Sequence, residues 1–104
     1  MGSVEQEFIT PEARGYTIYS KSGCPNCTKV KNFLKAVNAP VKTVDCDEYL
    51  IEFKDEFLKF VQTLVGKQIK TFPMVFFDGK YVGGYDETEK HYDKQSAFST
   101  DVFF

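Results

Sequence analysis

Cys24 and Cys27 stand three residues apart, with Pro25 and Asn26 between them. On the first turn of a helix, side chains at that spacing are neighbours about 5–6 Å apart at Cβ, close enough to form a reversible disulfide. A helix N-terminus also offers unpaired backbone N–H groups and a partial positive charge, the surroundings in which a thiolate is stable. Cys24 is therefore the candidate nucleophile and Cys27 its partner thiol. The same spacing makes half of a zinc site, but a structural zinc site takes four ligands. Outside the pair the chain offers one more cysteine, Cys46, and one histidine, His91. Redox chemistry is the better account, and no metal is expected. Cys46, at the end of the second strand-like run, reads as a buried thiol acting as a small hydrophobe, and His91 as a surface residue of the last helix.

Three other segments carry possible chemistry. Thr71-Phe72-Pro73 precedes a strand-like run; a cis bond before Pro73 would turn the backbone N–H and C=O of Phe72 outward to meet an extended peptide, whereas a trans proline simply starts a strand. Gly83-Gly84-Tyr85-Asp86-Glu87 allows close backbone approach and presents N–H groups at a helix start, where a carboxylate can be received. As a plain structural feature it is a turn with a helix cap. Lys21, three residues before Cys24, would favour a thiolate or hold an anionic substrate; alone it is a solvated surface lysine.

The elements that must position these residues follow from periodicity. Tyr16–Ser20 reads as a first strand, and Lys21-Ser22-Gly23 as the loop that delivers the cysteines to a helix. Pro25 suits the first helical position, where its missing N–H would be unpaired anyway. Cys27, Val30, Phe33 or Leu34, and Val37 then recur at helical spacing, and Asn38-Ala39-Pro40 ends the helix. Val41–Cys46 is a second, untidy strand. A long helix is expected from about Glu48 to Val65, with Leu50, Phe53, Phe57, Phe60, Val61 and Leu64 on its apolar side and Gly66 closing it. The helix between the first two strands calls for a parallel pair with a right-handed crossover. Asp78-Gly79, between Met74–Phe77 and Lys80–Val82, predicts a type I′ hairpin. A polar final helix is expected from Asp86 to about Ser96.

Composition sets limits. A chain of 104 residues at 42% hydrophobic, with eleven Phe and six Tyr, can bury the core of one domain without a disulfide framework. Residues 1–14 read as a flexible N-terminal arm, 15–97 as the domain and 98–104 as a C-terminal tail. A formal net charge of −2 from 13 basic and 15 acidic side chains gives no basic face for nucleic acid. No apolar run approaches the roughly 20 residues of a membrane span. Cysteine usage points to a reducing compartment, and a cytoplasmic location is expected.

Taken in order, Lys21-Ser22-Gly23-Cys24-Pro25-Asn26-Cys27, Thr71-Phe72-Pro73 and Asp78-Gly79-Lys80-Tyr81-Val82-Gly83-Gly84-Tyr85-Asp86 resemble the glutaredoxin family over roughly residues 15–92. The resemblance implies an α/β, thioredoxin-like fold: a central four-stranded mixed sheet flanked by three or more helices. It implies a glutathione-dependent thiol–disulfide oxidoreductase, acting as a monomer on protein disulfides and glutathionylated proteins, with glutathione as reductant and co-substrate. Cys24 would attack and Cys27 would resolve. Lys21 and Lys70 would face the glycine carboxylate of glutathione, Phe72 would pair with its cysteinyl backbone before a cis Pro73, with Thr71 and Asn26 at the same site. Gly84, Tyr85, Asp86 and Glu87 would receive the γ-glutamyl end. Asn26 departs from the Tyr that the family most often carries there, the link Lys67–Lys70 is longer than in many members, and the second helix lacks an alignable Gln. Alternative readings are a glutaredoxin-like electron donor recharged by thioredoxin reductase, and a dimer that binds an iron–sulfur cluster through Cys24 of each chain with glutathione thiols.

Overall fold

β1 (Tyr16–Ser20) and β3 (Met74–Phe77) form the centre of the sheet, and their alternation explains the two-sided core. Successive side chains of a strand point to opposite faces. On β1, Tyr16 and Ile18 go to one face and Tyr19 to the other; on β3, Val75 joins the first face while Met74 and Phe76 join the second. Both faces are covered, so these strands read as nearly continuous apolar runs.

The computed structural model describes residues 8–101. Its elements are β1, α1 (Pro25–Ala36), β2 (Val41–Asp45), α2 (Asp47–Glu52), α3 (Lys54–Val65), β3, β4 (Lys80–Gly83) and α4 (Tyr85–Asp101). The sheet order is β2-β1-β3-β4. β1 and β2 are parallel across α1, and β3 and β4 are antiparallel, as expected; β1 and β3 are antiparallel, which completes the mixed sheet. Val30 and Leu34 of α1 fill the face shared with α4, while Phe57 and Val61 of α3 fill the other. Among the described residues, no helix is long and apolar enough to cross a membrane.

The hairpin forms as its sequence demands. Asp78 (φ 51°) and Gly79 (φ 83°) both adopt the left-handed backbone of a type I′ turn. Asp78 also ties the turn to the start of β1: its Oδ1 accepts from the Gly15 N–H at 2.7 Å, and its N–H donates to Gly15 O at 2.9 Å.

Four expectations change. The single helix from Glu48 to Val65 is two helices, broken at Phe53 (φ −138°, ψ 39°). Eight residues of unbroken helix would separate Tyr49 and Phe57 by about 12 Å along the axis; the break brings their rings to 5.3 Å between centroids, so both serve one core. Residues 8–14 of the expected arm are anchored. Phe8 packs on Tyr49, Phe57 and Phe60, the Tyr19 hydroxyl donates to Ile9 O at 2.6 Å, and the buried Thr17 Oγ1 accepts from the Glu12 N–H at 2.9 Å. Residues 1–7 of that arm lie outside the described residues. α4 runs to Asp101, past the expected end near Ser96 and into the segment read as a tail; residues 102–104 lie outside the described residues.

His91, expected at the surface, is half-buried. Its ring packs on Phe77 at 4.7 Å, and its Nδ1 lies 2.8 Å from the Tyr16 hydroxyl, which donates to it in the neutral ring protonated at Nε2. Burial holds its pKa below the ordinary 6.5, against the opposing pull of Asp78, and burial pushes Tyr16 up to about 12. The unfolded chain takes up this proton more readily than the folded one, so the contribution of His91 is complete above its unfolded value of 6.5 and is lost as pH falls below it. Thermal melts from pH 8 to 5 are expected to show a declining midpoint that flattens in His91→Gln; an identical pH profile in that variant would refute the assignment.

Candidate active site

The loop Lys21-Ser22-Gly23 turns the chain out of β1, with Gly23 at φ 71°. Cys24 then caps α1 in an extended conformation (φ −112°, ψ 102°), Pro25 enters the first turn, and the Cys27 N–H donates to Cys24 Sγ at 3.2 Å. The sulfur of Cys24 thus fills the acceptor role that a Ser or Asp oxygen takes in ordinary helix caps. A hydrogen bond of this kind grows stronger as its acceptor gains negative charge.

The two thiols differ. Cys24 is half-exposed and Cys27 is 1% exposed. Burial, and then its contact with Cys24, push the Cys27 thiol up; the Lys21 backbone and the Ser20 side chain pull the other way. One sulfur is presented to solvent, and the other waits behind it as a thiol. Cys46 is fully buried, directs Sγ toward Val44 O at 3.6 Å, and is pushed up by burial to about 12. It is a core residue, as expected.

Opposite Cys24 stands Phe72, whose carbonyl oxygen lies 3.6 Å from Cys24 Sγ. The Phe72–Pro73 bond is cis, the arrangement weighed against trans from sequence. A groove of about 430 Å³ runs from here to the start of α4; it collects Asn26, Thr71, Phe72, Pro73, Gly84, Tyr85, Asp86 and Glu87. Lys21 and Lys70 do not line it. They flank a second cleft of about 340 Å³ on the far side of Phe72, with Leu50, Lys54 and Leu58. Lys21 Nζ sits 5.5 Å from the centroid of the shared Phe72 ring. Lys67 and Tyr81 also line the groove. Sequence reading missed them, because only the path of the link after α3 and the pairing of β4 bring them there.

At the head of α4 one expectation is refined. The Gly84 N–H is not open to a ligand: it donates to Glu87 Oε1 at 2.9 Å, while Gly84 O accepts from the Thr88 N–H at 3.0 Å and from the Thr88 hydroxyl at 2.7 Å. This is one half of a capping box. The amides of Tyr85, Asp86 and Glu87 occupy the first helical positions, which have no intrahelical acceptor. Together with the capped Gly84 they form the turn at the groove's end. Gly83 is obligatory for this turn, with φ 138° and a virtual Cβ only 2.6 Å from Glu87 Cβ.

The model for the family described as Glutaredoxin matches residues 16–82. Glutaredoxin-C4 of Arabidopsis thaliana is 33% identical over 95 residues, covering 88% of this chain and 66% of that protein. Mitochondrial glutaredoxin-2 of Bos taurus is 30% identical over 73 residues, covering 70% of this chain and 44% of that protein. The chain thus spans less than two thirds of the length of either relative. Among solved structures, glutaredoxin 1 from Francisella tularensis complexed with cacodylate superposes with a TM-score of 0.68 at 26% identity, covering 79% of this chain and 95% of that one. A buckwheat glutaredoxin–glutathione complex superposes with a TM-score of 0.58 at 29% identity, covering 76% and 69%.

Two outcomes follow from the site's geometry. Iodoacetamide at neutral pH is expected to modify the native reduced protein once, at Cys24, and three times after denaturation, read by mass spectrometry; native labelling at Cys27 or Cys46 first would contradict the burial order. Gly83→Ala is expected to lose roughly 1–3 kcal/mol in denaturant titration, from a left-handed backbone and a side-chain clash, and an unchanged midpoint would show that the turn relaxes freely.

Proposed function

The chain belongs to the glutaredoxin family, and from that premise we propose that it is a glutathione-dependent thiol–disulfide oxidoreductase that reduces glutathionylated proteins and protein disulfides. The observation that carries the reading is the division of labour between a half-exposed Cys24, capped by the Cys27 N–H at 3.2 Å, and a buried Cys27.

In the monothiol route, the Cys24 thiolate attacks the glutathione sulfur of a mixed disulfide. The protein thiolate leaves and takes up a proton, and Cys24 is left disulfide-bonded to glutathione. A second glutathione, as thiolate, attacks the bound glutathione sulfur; glutathione disulfide leaves and the Cys24 thiolate returns. In the dithiol route Cys24 attacks a protein disulfide and releases one protein thiol. Cys27 gives up its proton and attacks the Cys24 sulfur, which releases the second protein thiol and leaves a Cys24–Cys27 disulfide. Two glutathiones then reduce it.

Glutathione is placed by carrying the family pattern onto this chain. Its cysteinyl backbone pairs with Phe72 beside Pro73, with Thr71 and Asn26 along the groove. Its γ-glutamyl carboxylate meets the amides of Tyr85, Asp86 and Glu87, with the carboxylates of Asp86 and Glu87 as counter-charges for its ammonium group. Its glycine carboxylate reaches past Phe72 to Lys21 and Lys70. The groove, its sharing of Phe72 with the lysine-flanked cleft, and the amides at the head of α4 support this placement. The same reading has the protein acting as a monomer in the cytoplasm, where a reducing milieu keeps such a pair as thiols.

Cys24→Ser is expected to reduce turnover of a glutathionylated peptide to the uncatalysed rate in a glutathione-coupled assay. Cys27→Ser is expected to keep that turnover while losing reduction of a protein disulfide. Activity surviving in Cys24→Ser would refute the mechanism.

A further inference from the structure

Ser22 sits two residues before Cys24 in the turn between β1 and α1, and it is gripped from outside that turn. Its N–H donates to Asp47 Oδ1 at 2.8 Å, and its hydroxyl donates to Asp47 Oδ2. Both carboxylate oxygens are thus spent on one residue. Asp47 is held in turn: its own N–H donates to Asp45 Oδ1 at 3.0 Å, and the preceding Cys46 N–H donates to Ser20 O at 2.8 Å. These bonds join the end of β2 to the end of β1.

The carboxylate is ionised wherever thiolate chemistry runs. The Ser22 hydroxyl and N–H hold its pKa below the usual value, and Lys21 and Lys31 assist. Charge-assisted hydrogen bonds of this kind are the strong ones. The turn they restrain needs restraint, because Gly23 (φ 71°) lies between Ser22 and Cys24 and leaves the backbone free to swing. No step of the proposed reaction uses Asp47, and Ser22 is exposed, so core packing does not account for the pair.

We propose that Asp47 is a positioning residue for the nucleophile: by holding Ser22 at both oxygens it keeps the turn in the one conformation that sets Cys24 Sγ against the Cys27 N–H and the Phe72 carbonyl. The inference rests on Cys24 as the nucleophile and does not depend on glutathione as the co-substrate. It assigns the corner after β2 a part in the chemistry, although it supplies no group to the groove.

The test is the rate of iodoacetamide alkylation of Cys24 as a function of pH, in a Cys27→Ser background, with thermal melts alongside. Asp47→Ala is expected to move the alkylation midpoint upward by about one pH unit, about a tenfold loss of thiolate at any pH well below both midpoints. Loss of a nearby negative charge would by itself move that midpoint down, so an upward shift reports lost positioning. Asp47→Asn, whose amide oxygen still accepts from the Ser22 N–H, is expected to keep the midpoint at or slightly below that of the parent. Ser22→Ala should shift it upward by less, and Ser22→Ala with Asp47→Ala no further than Asp47→Ala alone, since the two act as one unit. An unchanged or lowered midpoint in Asp47→Ala, whatever its melting temperature, overturns the proposal. Should Asp47→Ala fail to fold, an unchanged midpoint in Ser22→Ala does the same. Alkylation needs no glutathione, so a parent protein that ignores glutathionylated peptides would sink the functional reading and leave this one testable.

Discussion

A sulfur atom takes the place of a helix cap, and most of the molecule serves that arrangement. The Cys27 N–H reaches Cys24 Sγ at 3.2 Å because Cys24 is extended and Pro25 opens the helix behind it. An orphan amide at a helix N-terminus must find an acceptor, and a thiolate is a better acceptor than a thiol. The need of the backbone and the need of the chemistry coincide at one bond. Anything that displaced Cys24 from the end of α1 would cost both.

The rest of the fold brings two other chain segments to the groove beside that sulfur. β1 ends at the loop that carries Cys24, the antiparallel pairing of β1 with β3 places Phe72-Pro73 beside it, and the β3–β4 hairpin leads directly into α4, whose first amides close the far end of the groove. The order β2-β1-β3-β4 is the economical way to do this, because the strands that deliver the chemistry are the two central ones. Each is covered on both faces by aromatic and aliphatic side chains. The groove rim therefore stands on the most deeply buried part of the chain, and the polar groups of that core are spent on local bonds such as Thr17 to Glu12 and Thr88 to Gly84.

Charge is distributed with the same logic. Lysines 21 and 70 flank one cleft beside Phe72, and carboxylates 86 and 87 line the other end of the groove, which suits an elongated zwitterion with an acid at one end and an amino acid at the other. Glu87 does double duty. Its carboxylate closes the cap on Gly84 and also lines the groove, and the next three amides are left without an intrahelical acceptor.

How much of this was legible beforehand depends on the range of the interaction concerned. Whatever is local was written in the chain: Pro25 behind Cys24, the Asp78-Gly79 turn, the alternation of β1 and β3, and the glycine pair before α4 are each dictated by sterics or hydrogen bonding within a few residues. The places of Cys24 and Cys27 at a helix start, of Phe72 before a strand and of residues 84–87 at the head of the last helix were readable for that reason. The break at Phe53 was not, since a regular apolar stripe from residue 48 to 65 satisfies helical periodicity equally well; only the demand of one core for both Tyr49 and Phe57 decides it. His91 gave no signal of its partnership with Tyr16, 75 residues away, nor Ser22 of its partner Asp47, 25 residues away. Spacing along the chain encodes which neighbours share a turn or a face, whereas contacts across the sheet are set by strand order and register, and those emerge only when the whole core closes.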